Sequence, residues 1–149
     1  MLVKTLQVVV HAEHDTLWNL LLDRLQNPER FIPGVTEARV IEKDGNVSVR
    51  EMKLHGDLVR ERVTVYPHES QIRHELLEHP QFTGFILTKV VRTARQSPVA
   101  PQNLEYDLEL TPKSRLIKGV VLGEAEIIAD LEAEMRRLKS RAEEMETRA

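Results

Sequence analysis

The chain has 149 residues, 41% apolar and 30% charged, with a net charge of −3 and no cysteine. That composition fits one soluble domain with one core. It excludes disulfides, thiolate chemistry and cysteine-ligated metals, and it leaves no strong basic field to draw nucleic acid or an anionic membrane. No apolar run approaches the ~20 residues of a membrane-spanning helix, and the N-terminus lacks a signal-peptide layout. We therefore expect a cytoplasmic protein with no membrane insertion.

Leu2–Val10 is β-branched and short, which predicts a strand. Leu17, Trp18, Leu21, Leu22 and Leu25 then recur at helical spacing, with Asp15 or His14 as the expected cap. Asn27-Pro28 opens a second, short helix that Pro33-Gly34 ends. Strands follow at Val35–Glu42, Val47–His55, Leu58–Tyr66, Ser70–Glu78, Phe82–Arg92 and Asn103–Thr111, separated by Gly- and Pro-rich turns and, at Gln96–Gln102, a loop. The last strand alternates cleanly, with Leu104, Tyr106, Leu108 and Leu110 on one side. From Ser114 to about Arg141 one long amphipathic helix is predicted. Leu116, Val120, Ile127, Leu131, Met135 and Leu138 form its stripe, Glu132 and Arg136 form an i,i+4 pair, and fraying is expected after Ala142.

The order β-α-α-β6-α with tight turns predicts an α+β domain. A curved seven-stranded antiparallel meander carries two short helices and wraps around the long C-terminal helix. Taking Gly56-Asp57 as a two-residue turn pairs His55 with Leu58, Met52 with Glu61, Arg50 with Val63 and Leu54 with Val59. Arg50, Met52 and Leu54 then share the inner face with Val59, Glu61, Val63 and Val65, and Arg50 and Glu61 are diagonal neighbours. Apolar parity carries His74 inward with Ile72 and Leu76, and Tyr106 with its leucines.

Arg50, Glu61, His74 and Tyr106 are thus polar candidates for an apolar interior, where an unpaired charge is costly. Two readings stand. In one, Arg50 and Glu61 make a structural pair, Tyr106 packs in the core and His74 is satisfied by backbone. In the other, the four line a cavity and orient a ligand, with Met52, Val63 and Leu108 as its apolar walls. Gly119 and Gly123, one helical turn apart, cost roughly 1 kcal/mol each in a helix interior. They serve either close packing of the helix on the sheet or a kink, or, beside Val120, room for a ligand.

Chemical motifs are few. His11 and His14 lack a third ligand, so no metal is expected, and no cofactor motif is present. Gly119-Val-Val-Leu-Gly123 lacks the Lys-Ser/Thr of a phosphate loop, and no serine sits between glycines. Aromatic residues make up only 4%, too few for base-stacking platforms.

The element order resembles the helix-grip fold of the START/Bet v1-like (SRPBCC) superfamily. Within it, Leu17-Trp18, Arg24, Asn27 through Gly34, Val49 through Met52 and Val59 through Val63 resemble the AtaL-like group. Ile127 through Leu131 is similar to that group's C-terminal helix. The resemblance implies a cavity between sheet and helix. Superfamily members hold lipids, sterols, polyketides or hormones there, and some act as cyclases or aromatases. It carries over no catalytic residue.

Three functions are compatible with the sequence. The first is a monomeric or weakly dimeric domain that binds a small apolar molecule. The second is a cyclase- or isomerase-like enzyme using His74, Glu61 or Tyr106. The third is an interaction module in which the charged tail after Leu131 projects toward a partner.

Overall fold

The computed structural model describes residues 1–94, 101–113 and 123–148. Among them are strands β1 (Leu2–Val10), β2 (Val35–Asp44), β3 (Val47–Leu54), β4 (Asp57–Tyr66), β5 (Gln71–Glu78), β6 (Phe82–Arg92) and β7 (Gln102–Pro112). Helix α1 (His14–Gln26) follows β1, and α2 (Glu124–Thr147) follows β7. The second short helix is a single 3-10 turn at Pro28–Arg30. All strands join one antiparallel sheet in the order β1-β7-β6-β5-β4-β3-β2. α1 and α2 lie on its inner face, which is the helix-grip arrangement.

Local chemistry curves the sheet. Register shifts interrupt the β2–β3 and β4–β5 ladders, and such bulges bend and twist the strand that carries them. Near the start of β6, where it pairs with Leu76 of β5 and Leu110 of β7, Gly84 has φ +118, and a Cβ there would run into the Glu109 carbonyl. Only glycine allows β6 to bend against β7 at that point.

The β3–β4 hairpin corrects the expected register. Its turn is His55-Gly56, with φ 51 and 86, not Gly56-Asp57. Both central residues take positive φ, as the tight two-residue turns that match strand twist require. Leu54 therefore pairs with Asp57, Met52 with Val59, and Arg50 directly with Glu61. The slip is two residues, so the predicted inner face keeps its members.

The core gathers Leu17 and Leu21 of α1, Val63, Ile72, Tyr106, Leu108 and Leu110 of the sheet, and Met135, Leu138 and Ala142 of α2. A second cluster forms around Val35, Met52 and Val59. α1 begins after Glu13 without a side-chain cap of its own, and His14 and Asp15 lie inside it. The amide of its N-cap residue, Glu13, is met from α2, as are neighbouring groups of the β1–α1 junction. Glu146 of α2 accepts from the Glu13 amide at 3.0 Å and the Thr16 hydroxyl at 2.7 Å, and Glu143 accepts from the His11 amide at 2.9 Å. Lys139 donates to the Val9 carbonyl at 2.7 Å.

These contacts correct two expectations for the tail. It does not project from the domain, and α2 stays helical past Ala142 to Thr147. The tail stays because its carboxylates cap the β1–α1 junction. The start of the helix is also corrected: α2 opens at Glu124, with Gly123 as a left-handed N-cap of φ +84, outside the helix. Leu116, Gly119 and Val120 lie outside the described residues. Glu132 and Arg136 make no ion pair among the described residues.

Candidate functional site

Arg24, Arg50, Glu61, His74, Tyr106 and Glu134 are each at most 6% exposed and form one connected group. Each arrives by the periodicity of its element. Arg24 follows Leu17 by two turns of α1 and Leu21 by one, so it points inward with them. Glu134 sits between Leu131 and Leu138 on the buried stripe of α2. Arg50, Glu61, His74 and Tyr106 occupy the inward parity of β3, β4, β5 and β7.

The group centres on Arg24. Its Nη1 donates to Tyr106 Oη at 2.7 Å and to Glu134 Oε1 at 2.8 Å. Its Nη2 lies 3.0 Å from His74 Nε2 and 3.4 Å from Thr88 Oγ1. Tyr106 in turn donates its hydroxyl proton to Glu134 Oε1 at 3.0 Å. On the far side, Arg50 Nε and Nη2 reach Glu61 Oε1 at 2.9 and 2.8 Å, and His74 Nδ1 lies 3.7 Å from the same oxygen. Arg24 can only donate, so His74 Nε2 accepts and the ring proton sits on Nδ1, facing Glu61.

Two guanidiniums thus face two carboxylates, which is how buried charges are tolerated. Burial opposes ionisation of Glu61, but the Arg50 charge and the His74 hydrogen bond hold its carboxyl well below the ordinary range. Burial, helped by Arg24 and Arg50, pushes His74 down and outweighs the pull of Glu61, so its ring is neutral. Burial raises the Tyr106 hydroxyl well above its usual value, and Glu134 adds to that. Burial works against the Arg24 charge, but Tyr106 and Glu134 more than offset it.

The group opens on a cavity of about 40 Å³. Arg24, Arg50, His74, Thr88, Tyr106 and Glu134 form its polar wall, with Ile32, Ile86 and Leu131 as apolar wall. That volume takes roughly three waters, or one polar group of a ligand. The Nε of Arg24 is buried and has no hydrogen-bond partner among the described residues.

Of the sequence candidates, Arg50, His74 and Tyr106 line this cavity, and Glu61 stands behind them, holding Arg50 and His74. Val63 and Leu108 pack in the main core, and Met52 lies in the second cluster. Gly123 makes room for the Gln81 side chain, which a Cβ there would overlap. Arg24 and Glu134 were not among the candidates. Their signal was a charged residue lying on an apolar stripe at helical spacing. Among the described residues, no group of three or more His, Asp or Glu could hold a metal ion. No described helix is long and apolar enough to cross a membrane.

A curved sheet gripping a long helix, with polar side chains meeting in its interior, defines a START/Bet v1-like (SRPBCC) domain. Residues 7–96 match the family described as "AtaL: Acetylaranotin biosynthesis cluster protein L", and the chain belongs to that family. Among solved structures, it is similar to the Zhui aromatase/cyclase from Streptomyces sp. R1128, with TM-score 0.70, 19% identity, and coverage of 95% of this chain and 93% of that one. It is also similar to a START superfamily protein from Mycobacterium smegmatis, with TM-score 0.71, 17% identity, and coverage of 96% and 98%. The di-domain aromatase/cyclase StfQ of the steffimycin biosynthetic pathway matches with TM-score 0.73 and 20% identity, over 97% of this chain and 51% of that one. No curated protein matches the sequence.

Proposed function

We propose that this domain binds a small apolar molecule, lipid- or polyketide-like, in the space between sheet and α2, with one polar group of the ligand held at the Arg24 centre. One observation carries the reading: polar side chains from α1, β3, β5, β7 and α2 converge on a single cavity, and the buried Arg24 Nε has no hydrogen-bond partner among the described residues. A purely structural network has no need of a buried donor without an acceptor. A ligand carbonyl or hydroxyl oxygen would complete it. The test is native mass spectrometry of the purified protein, wild type beside Tyr106→Phe. The reading expects a co-purified molecule on the wild type and lower occupancy on the variant. A bare mass for both, with no thermal stabilisation by any member of a panel of apolar ketones, would contradict it.

A second reading, a cyclase- or isomerase-like enzyme on a polyketide-like substrate, draws on a separate observation. His74 and Tyr106 stand on the wall that also carries two guanidiniums able to polarise a carbonyl, and His74 could act as a base only if a substrate displaced Arg24 from its Nε2. Two of the similar structures are aromatase/cyclases. Turnover of a poly-β-keto substrate that disappears in His74→Asn would support it. Turnover that His74→Asn leaves unchanged would remove His74 from the reaction.

A further inference from the structure

A second concavity, of about 300 Å³, lies between α1 and the open end of the sheet. One wall is the outer shoulder of α1, with Trp18, Leu22 and Leu25. The other is the inner face of the β2–β3 hairpin and the end of β4, with Val40 and Val65. Leu22, Leu25 and Val65 are only half-buried, and Val40 is exposed. The volume falls at the lower end of small-molecule pockets.

The polar lining is Gln26 at the end of α1 and Lys43, Asn46 and Ser48 of the β2–β3 hairpin. Lys43 carries the only formal charge in the lining. Lys43 pairs with Ser48, whose parity is that of Arg50, whereas Glu42 and Asp44 pair with Val49 and Val47 on the opposite face. No side-chain hydrogen bond or ion pair engages Gln26, Lys43, Asn46 or Ser48 among the described residues. An apolar trough whose lining holds one cation and hydrogen-bonding groups without partners among the described residues complements a molecule with an apolar body and an anionic head.

We propose that the groove beneath α1 is a binding site for an amphipathic carboxylate, separate from the Arg24 centre. Its alkyl or aryl body lies along Trp18, Leu22, Leu25 and Val65. Its carboxylate sits at Lys43, with Asn46 and Gln26 as hydrogen-bond donors. The site stands whether or not the interior holds a ligand.

Trp18 is the only tryptophan of the chain; it lines this groove and also packs in the main core, so its emission is read together with the Lys43 and Ser48 variants. The full-length protein is titrated with decanoate and with decanol, which share one chain and differ in the head. Binding is followed by Trp18 emission and by calorimetry, and the fold of each variant is checked by circular dichroism. We expect decanoate to change Trp18 emission saturably. Lys43→Glu should weaken decanoate by about tenfold and leave decanol unaffected, and Ser48→Phe, which fills the groove, should remove the signal for both. The proposal is overturned if no saturable change occurs at Trp18, or if Lys43→Glu leaves decanoate affinity intact. Calorimetric binding of decanoate without any response from Trp18 also overturns it, and places the molecule in the interior, where the reading under Proposed function would survive.

Discussion

Arg24 of α1 and Glu134 of α2 meet at 2.8 Å in the interior, and the hydroxyl of Tyr106 bonds to both. This triangle joins the two helices to the sheet at one point. It also places a cation, an anion and a phenol on the wall of one cavity.

Removing one member of that triangle strands the others in a low-dielectric interior. Glu134→Ala is expected to cost about 3–5 kcal/mol, because it leaves Arg24 charged and short of its main partner. The double variant Arg24→Met/Glu134→Leu should recover most of the loss, since no orphan charge remains. Urea unfolding of Arg24→Met, Glu134→Leu and the double variant gives the coupling directly. Additive losses would show that the pair is not the unit we describe.

Acid should loosen the fold in two stages. His74 is depressed by burial, so the unfolded chain binds a proton there before the folded one does. Its contribution to stability is whole above the unfolded value of about 6.5 and declines as pH falls below it. Glu61 is depressed by Arg50 and His74 against the effect of burial, so its contribution is whole above about pH 4.5 and is lost below that. Stability measured from pH 8 to 3 should therefore hold to about pH 7, fall below about pH 6.5, and fall again below about pH 4.5. His74→Asn should flatten the first stage and Glu61→Gln the second. A wild-type stability independent of pH between 7 and 5 would contradict the assignment of His74.

Gly84→Ala should be among the most damaging small substitutions. It puts a side chain at φ +118 and against the Glu109 carbonyl, a combination worth at least about 2–3 kcal/mol. Gly45→Ala, at φ +60 with open space around it, should cost only about 1 kcal/mol. Thermal melts of the two variants compare them on one scale. Equal costs would show that β6 tolerates a bulkier residue at its bend.

Deleting the residues after Ala142 removes the carboxylates that meet the His11 and Glu13 amides and the Thr16 hydroxyl. Hydrogen exchange at those two amides should speed up, with little change in β3 and β4. Unchanged protection at the β1–α1 junction would mean that the cap is dispensable.

The strands were legible because their alternation and turn residues are strong. β1 and β6 fall at the bounds that pattern predicts. The inner face of β3 and β4 was legible too, since a slip of two residues preserves parity. The turn itself was missed because it places a histidine, not only a glycine, at positive φ. Arg24 and Glu134 were missed for a different reason. A charge on an amphipathic helix is ordinarily solvated, and only partners distant in sequence make burial tolerable. Gly123 read as a helix interior because Ile127 and Leu131 continue the spacing of Val120, and periodicity does not mark where a left-handed cap begins the helix.

The Nε–H of Arg24, which has no partner among the described residues, gives the most direct test of the interior binding site. Its proton and nitrogen signal can be followed by NMR in protein as purified and again after solvent extraction and refolding. The account predicts that the Arg24 signal moves between the two samples, as a ligand oxygen is lost from that donor, while the Arg50 Nε signal, already bonded to Glu61, moves less. Identical Arg24 signals in both samples, with a molecule demonstrably removed, would contradict it.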